Sequence, residues 1–167
     1  MRIKYFIFVL ISICFISCAN YWEAMWVSKD FPKEYTGLDT LIRIDGYYYL
    51  EDNTGIVSPF RLSNNGSFLM ASGLYKDKNH TQIQEQFRTR YIHKGSYILS
   101  GDTIKIRWAM VYDLTCYEIF SEQYLIINDT TLRNIWYLCE TCQPSNNKKQ
   151  NPIRNDIYKF YQYDFED

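Results

Sequence analysis

Residues 95–108, Gly-Ser-Tyr-Ile-Leu-Ser-Gly-Asp-Thr-Ile-Lys-Ile-Arg-Trp, limit the possible folds more than any other stretch. Gly101-Asp102 puts glycine first in a two-residue turn, which suits a type II′ hairpin. That turn sets Leu99 opposite Ile104 and Tyr97 opposite Ile106. Tyr97, Leu99, Ile104, Ile106 and Trp108 then share one face, while Ser96, Ser100, Thr103, Lys105 and Arg107 face away. A slip of one residue would carry Lys105 and Arg107 into the core, so the register is strongly specified.

A second hairpin follows the same logic. A two-residue Asn65-Gly66 loop would set Arg61 opposite Met70. A three-residue loop, Asn64-Asn65-Gly66, sets Leu62 opposite Phe68 and Phe60 opposite Met70, and puts all four on one face. Gly66 supplies the left-handed residue that such a loop needs. Residues 41–50 read as a strand with Ile42, Ile44, Tyr48 and Leu50 on one face, interrupted at Gly46. Residues 73–81 read as a polar loop. Ile83, Phe87 and Tyr91 recur every fourth residue, and residues 82–92 are taken as irregular chain ending in a strand. Residues 115–121, 123–128 and 131–139 read as three strands, 142–152 as a solvated loop, and 156–165 as a closing strand with Tyr158 and Phe160 on one face. About eight or nine strands with short turns and no long helix mean an all-β fold, an antiparallel barrel or sandwich.

The N-terminus carries a different message. Met1-Arg2-Ile3-Lys4 is a basic head, residues 5–16 are almost wholly apolar, and Ser17-Cys18 follows. This pattern describes an export signal, and the apolar run is shorter than the ~20 residues a membrane span needs. Phe15-Ile16-Ser17-Cys18 looks like the lipobox of bacterial lipoproteins. That resemblance implies cleavage before Cys18, a diacylglyceryl thioether and an acylated amine on Cys18, and attachment to a membrane through acyl chains that include palmitate. Ala19, with no Asp in that place, implies by the same resemblance the outer membrane of a Gram-negative cell, on its periplasmic side. The chain then divides into residues 1–17 (signal peptide), 18–40 (lipidated N-terminus and tether) and 41–167 (barrel domain). Residues 20–29 read as a short helix with Tyr21, Trp22, Met25 and Trp26 on one face, either a foot in the lipid interface or a plug for one end of the domain. Removing residues 1–17 takes Lys+Arg from 18 to 16 against 19 Asp+Glu, a net charge near −3. That balance excludes a nucleic-acid binder, which would show a clustered basic excess.

Asp45-Gly46-Tyr47-Tyr48, the Gly95-x-Tyr97-x-Leu99-x-Gly101-Asp102-Thr103-Ile104-x-Ile106 hairpin, and Tyr124-x-Ile126-x-Asn128-Asp129-Thr130-Thr131-Leu132 together resemble small bacterial lipocalin-like lipoproteins. The resemblance covers roughly residues 43–165 and implies an antiparallel barrel of about eight strands. The Gly-x-Trp signature of true lipocalins is absent, with Gly46-Tyr47-Tyr48 in its place.

No constellation points to chemistry, so no catalytic residue, metal or cofactor is expected. His80 and His93 read as surface imidazoles without ligand spacing to the cysteines. The carboxylates, among them Asp45, Glu118 and Asp129, read as the solvated face of strands and turns. Cys116, Cys139 and Cys142 are disulfide candidates in an oxidising compartment, with Cys116 expected to pair with Cys139 or Cys142. The 16 tyrosines cannot all be core. Adjacent members of Tyr47-Tyr48-Tyr49 point to opposite faces, so Tyr47, Tyr49 and Tyr117 are candidate contacts for a protein partner. The bulky inner faces of the two hairpins predict a largely filled barrel, with binding carried by its open end or outer surface and Trp108 insensitive to apolar probes. The function expected is therefore a non-enzymatic, lipid-anchored envelope barrel that binds an envelope protein or other partner through tyrosines and loops. The alternatives are a carrier of a small apolar ligand and an inhibitor or immunity-type protein.

Overall fold

Alternating apolar residues and short turns build nine strands among the described residues of the computed structural model, which are 36–71, 73–76, 80–89, 92–111, 117–141 and 153–163. The strands are β1 (Gly46–Asp52), β2 (Gly55–Leu62), β3 (Ser67–Ala71), β4 (Leu74–Tyr75), β5 (Ile92–Ser100), β6 (Thr103–Val111), β7 (Tyr117–Asn128), β8 (Thr131–Cys139) and β9 (Ile153–Gln162). Among the described residues one α-helix, α1 (His80–Thr89), lies between β4 and β5. Every pairing is antiparallel, and β1 bonds to both β2 and β9, so eight strands close on themselves and β4 hangs on β2. The fold is thus all-β, an up-and-down eight-stranded barrel of the lipocalin-like kind.

Both hairpins take the registers that their patterns require. Leu99 pairs with Ile104 and Tyr97 with Ile106, with Gly101 at φ +63° in the turn. Phe60 pairs with Met70 and Leu62 with Phe68, with Gly66 at φ +81°. Their inward residues join Tyr48, Trp108, Phe120, Tyr124, Leu132 and Tyr158 in the main core.

The two ends of the barrel differ. At one end the turns bond to their neighbours: Tyr97 N–H donates to the Gly66 carbonyl, and Ile126 N–H to that of Asp102. Arg43 N–H likewise donates to the Asp129 carbonyl. A 3₁₀ turn, Leu38–Thr40, stoppers this end with Leu38 and Ile42, both buried in the core. The stretch read as tether therefore already belongs to the barrel from Thr36, whose hydroxyl lies 2.8 Å from that of Tyr97. The strand expected over residues 41–50 starts only at Gly46, because the residues before it bend into the stopper. The opposite end is where β6 and β8 finish, and it holds an open cavity.

Three further expectations are corrected. Residues 80–89 form a helix, because Ile83 and Phe87 find a second apolar surface on the outside of the barrel. Within the expected polar loop, Leu74–Tyr75 pairs with Ile56 and Val57 of β2. The two strands expected over residues 115–128 are one continuous β7, because Glu122 faces the interior and does not break the chain. Residues 20–29, and with them the expected foot or plug, lie outside the described residues.

Candidate functional site

The strands of the open end line a cavity of ≈ 340 Å³. Its walls are Met70, Trp108, Met110, Phe120, Tyr137 and Tyr158, and Glu122 and Asn134 form its polar floor. The interior is therefore filled in its closed half, as the two hairpins led one to expect, and hollow towards the open end. Their bulky residues pack the closed half, and the cavity belongs mostly to β6, β7, β8 and β9.

Strand alternation puts Glu122 there. Phe120, Glu122 and Tyr124 are each buried, while Ser121 and Gln123 between them are half-exposed. Glu122 is 4 % exposed and its Oε1 accepts a 2.7 Å hydrogen bond from Trp108 Nε1. Its Oε2 accepts from Asn134 Nδ2 at 3.0 Å and from the Tyr124 hydroxyl. Trp108 is in turn stacked on Phe120, its register partner, at 4.3 Å and 21°. Its indole has room because Gly95 is its partner on β5. A Cβ at Gly95 would come within 2.5 Å of the Trp108 Cβ.

Asn134 is oriented by a bulge. Tyr124 pairs with Asn134 while Gln123 pairs with Trp136, so Ile135 is an extra residue in β8. Such a residue switches which positions face inward. Leu132 and Asn134 face the interior before it, and Tyr137 and Cys139 after it. Asn134 Oδ1 accepts the Trp136 N–H at 3.1 Å across the bulge, which leaves its Nδ2 to donate to Glu122.

Burial pushes the Glu122 carboxyl above its usual range, opposed by hydrogen bonds from Tyr124, Trp108 and Asn134 and by the Arg154 guanidinium. Burial also raises Tyr124 and Tyr158, so both hydroxyls stay protonated. His93 lines another wall, with its Nε2 buried and unpartnered, and desolvation lowers its pKa so that it is held neutral. At the rim, Arg154 lies over the Tyr137 ring at 5.2 Å, near Asp156. Among the described residues, no group of three or more His, Cys, Asp or Glu side chains is placed to hold a metal.

The residues singled out from sequence lie elsewhere. Tyr47 is corrected: it is fully buried, because α1 covers the outer face of β1 that the alternation assigned to solvent. Its ring packs on Tyr161 (5.3 Å) and Phe87 (5.8 Å), and its hydroxyl is 2.5 Å from His80 Nδ1. Tyr49 is half-buried beside it, ring to ring at 6.4 Å. His80 is no bare surface imidazole, since it stacks on Tyr161 at 3.8 Å. Tyr117 opens β7, but its side chain lies outside the described residues, as do Cys18, Cys116 and Cys142. Cys139 is buried in the core and disulfide-bonded. Glu122, Asn134 and Arg154 were missed. The available signal was the Phe120-x-Glu122-x-Tyr124-x-Ile126 alternation, which sets a carboxylate on an otherwise apolar face.

The class defined by fold and site is an eight-stranded barrel with a half-open, aromatic cavity over a buried carboxyl group. In comparison with known proteins, the chain matches no family model, no curated protein and no solved structure.

Proposed function

We propose that the protein is an exported barrel, lipid-anchored at Cys18, that binds one small ligand in the open end of the barrel without transforming it. The cavity carries this reading. Its ≈ 340 Å³ lies at the small end of the roughly 300–1,000 Å³ common for ligand sites, and it has their composition, apolar walls with a few placed polar groups. Binding is favoured over catalysis because Glu122 is locked by three donors and faces aromatic rings. The partner-binding alternative loses Tyr47 to the space under α1, and retains Tyr49 and the loops. The basic head, apolar run and Phe15-Ile16-Ser17-Cys18 support export and anchoring, by the lipoprotein resemblance, to the periplasmic face of an outer membrane. The chain enters the barrel at the stoppered end, so an anchor before Thr36 would leave the cavity mouth unencumbered.

The test is a variant with Trp108 as sole tryptophan, titrated with small aromatic molecules of positive, negative and zero charge. Saturable one-to-one quenching of Trp108 by at least one of them is expected, and its loss when Met110→Phe narrows the cavity. If no member of the panel changes Trp108 emission, the barrel is not a small-ligand carrier.

A further inference from the structure

We infer that the cavity selects a small organic cation, an ammonium group on an apolar body, held between aromatic rings with its charge facing Glu122. This rests on the ligand-binding reading above and adds the chemistry of the ligand.

The hydrogen-bond shell of Glu122 is built for a carboxylate. Trp108 Nε1 and Asn134 Nδ2 can only donate, and the Tyr124 hydroxyl donates as well. Three donors on two oxygens satisfy an ionised carboxylate, whereas a protonated one has only the Tyr124 hydroxyl oxygen among them to donate to. Burial opposes this by penalising the charge, and no cation forms an ion pair with Glu122 among the described residues. The Arg154 guanidinium is felt at Glu122 without pairing with it, and a ligand cation in the cavity would add a further counter-charge.

The other groups around Glu122 do not replace it. His93 on β5 is held neutral by burial. On β9, Tyr158 stays protonated, while Arg154 and Asp156 oppose each other in sign. With Glu122 ionised, as a bound cation would favour, the formal charge of the lining is negative by one. Arg154 is exposed, so solvent and salt screen its field, whereas the field of buried Glu122 is screened far less. An anionic ligand would meet both carboxylates and gain one screened guanidinium.

The walls suit the same guest. Trp108, Phe120 and Tyr137 form a continuous row, with centroids 4.3 and 5.7 Å apart. Tyr137 already accepts the Arg154 cation on its face. Because the oxygens of Glu122 are engaged, the guest needs a charge more than a hydrogen to donate, and a quaternary ammonium meets the requirement.

The experiment compares three probes on the full chain by calorimetry: benzyltrimethylammonium, its uncharged carbon isostere neopentylbenzene, and 3-phenylpropanoate. The cation is expected to bind one-to-one and about tenfold or more tighter than the isostere. Glu122→Gln should bring the two within about threefold of each other, and Tyr137→Leu should weaken the cation about fivefold or more while sparing the isostere. In wild type, the cation should release protons as it binds and weaken as the pH is lowered through the Glu122 titration, which needs no variant to fold. If the isostere or 3-phenylpropanoate binds as tightly as the cation, the cation assignment is overturned while the ligand-binding reading stands. If none of the three binds, the cation assignment falls as well, and the wider Trp108 panel decides the broader reading.

Discussion

Glu122 carries a second consequence, for stability. Its folded pKa lies above the ordinary carboxyl value, with burial as the main cause. The folded state therefore binds this proton more tightly than the unfolded chain does. The corresponding stability is fully present below the unfolded pKa, near ~4.3, and is lost as pH rises through the folded value. Glu122→Gln cannot titrate and keeps most of the shape. In urea melts across a pH series, the deficit of Glu122→Gln relative to wild type should be largest in acid, about 1 kcal/mol, and should shrink as pH rises. Parallel curves would mean that the carboxyl is not perturbed. Taking the difference from wild type isolates Glu122 from groups with opposite slopes, such as Asp45, Asp52 and Glu140, whose pKa values are lowered. At this scale the site was only half legible. Trp108 was readable as an inward residue from its hairpin. Glu122 was not, because a carboxylate on a strand normally faces water, and only its three donors, from three different strands, make the inward position tolerable. Asn134 and Tyr137 were hidden further by the bulge at Ile135, since one extra residue reverses the inward parity that simple alternation predicts.

Elements held by local turns were readable from sequence, and elements held by distant surfaces were not. The two hairpins follow from Gly66 and Gly101 together with the apolar residues beside them, all within a few positions of each other. Helix α1 depends on a surface made far away in sequence. Ile83 and Phe87 fit helix or strand equally well on spacing alone. The choice is made by Tyr47, Ile56, Ala71 and Tyr75, which form an apolar patch on the outside of the barrel. Covering that patch is also what removes Tyr47 from any exposed binding surface. Ile83 is completely buried there. Ile83→Ala should therefore lower stability by about 2–5 kcal/mol, the usual cost of removing a buried isoleucine side chain. Hydrogen exchange should show the earliest loss of protection in α1, with β6 and β7 retained. A change below about 0.5 kcal/mol with α1 still protected would show that the helix does not rest on this contact.

At the scale of the molecule, the proposed function assigns address and binding to different parts of the chain. The proposed address is a linear stretch of sequence, residues 1–18, and would require no fold to be read. The cavity exists only once β6, β7, β8 and β9 stand side by side, which explains why the sequence offered an anchor residue by number but no ligand site. The stopper joins the two. Leu38 and Ile42 seal the end at which the described chain enters, so the barrel keeps its own core whatever precedes Thr36. If this division holds, removing the anchor should leave the cavity intact. Cys18→Ser lacks the thiol that would carry the diacylglyceryl group, and a lone amphipathic segment at residues 20–29 would give weaker, reversible attachment. The variant should stall in processing or leave the membrane fraction, while its near-ultraviolet spectrum and Trp108 quenching match wild type. Cell fractionation read beside a ligand titration tests both halves. A Cys18→Ser protein that is processed normally and stays as firmly membrane-bound as wild type would refute the lipid anchor. One that leaves the membrane but loses ligand binding would show that the two ends are coupled, and that the stoppered end does not isolate the barrel from its tether.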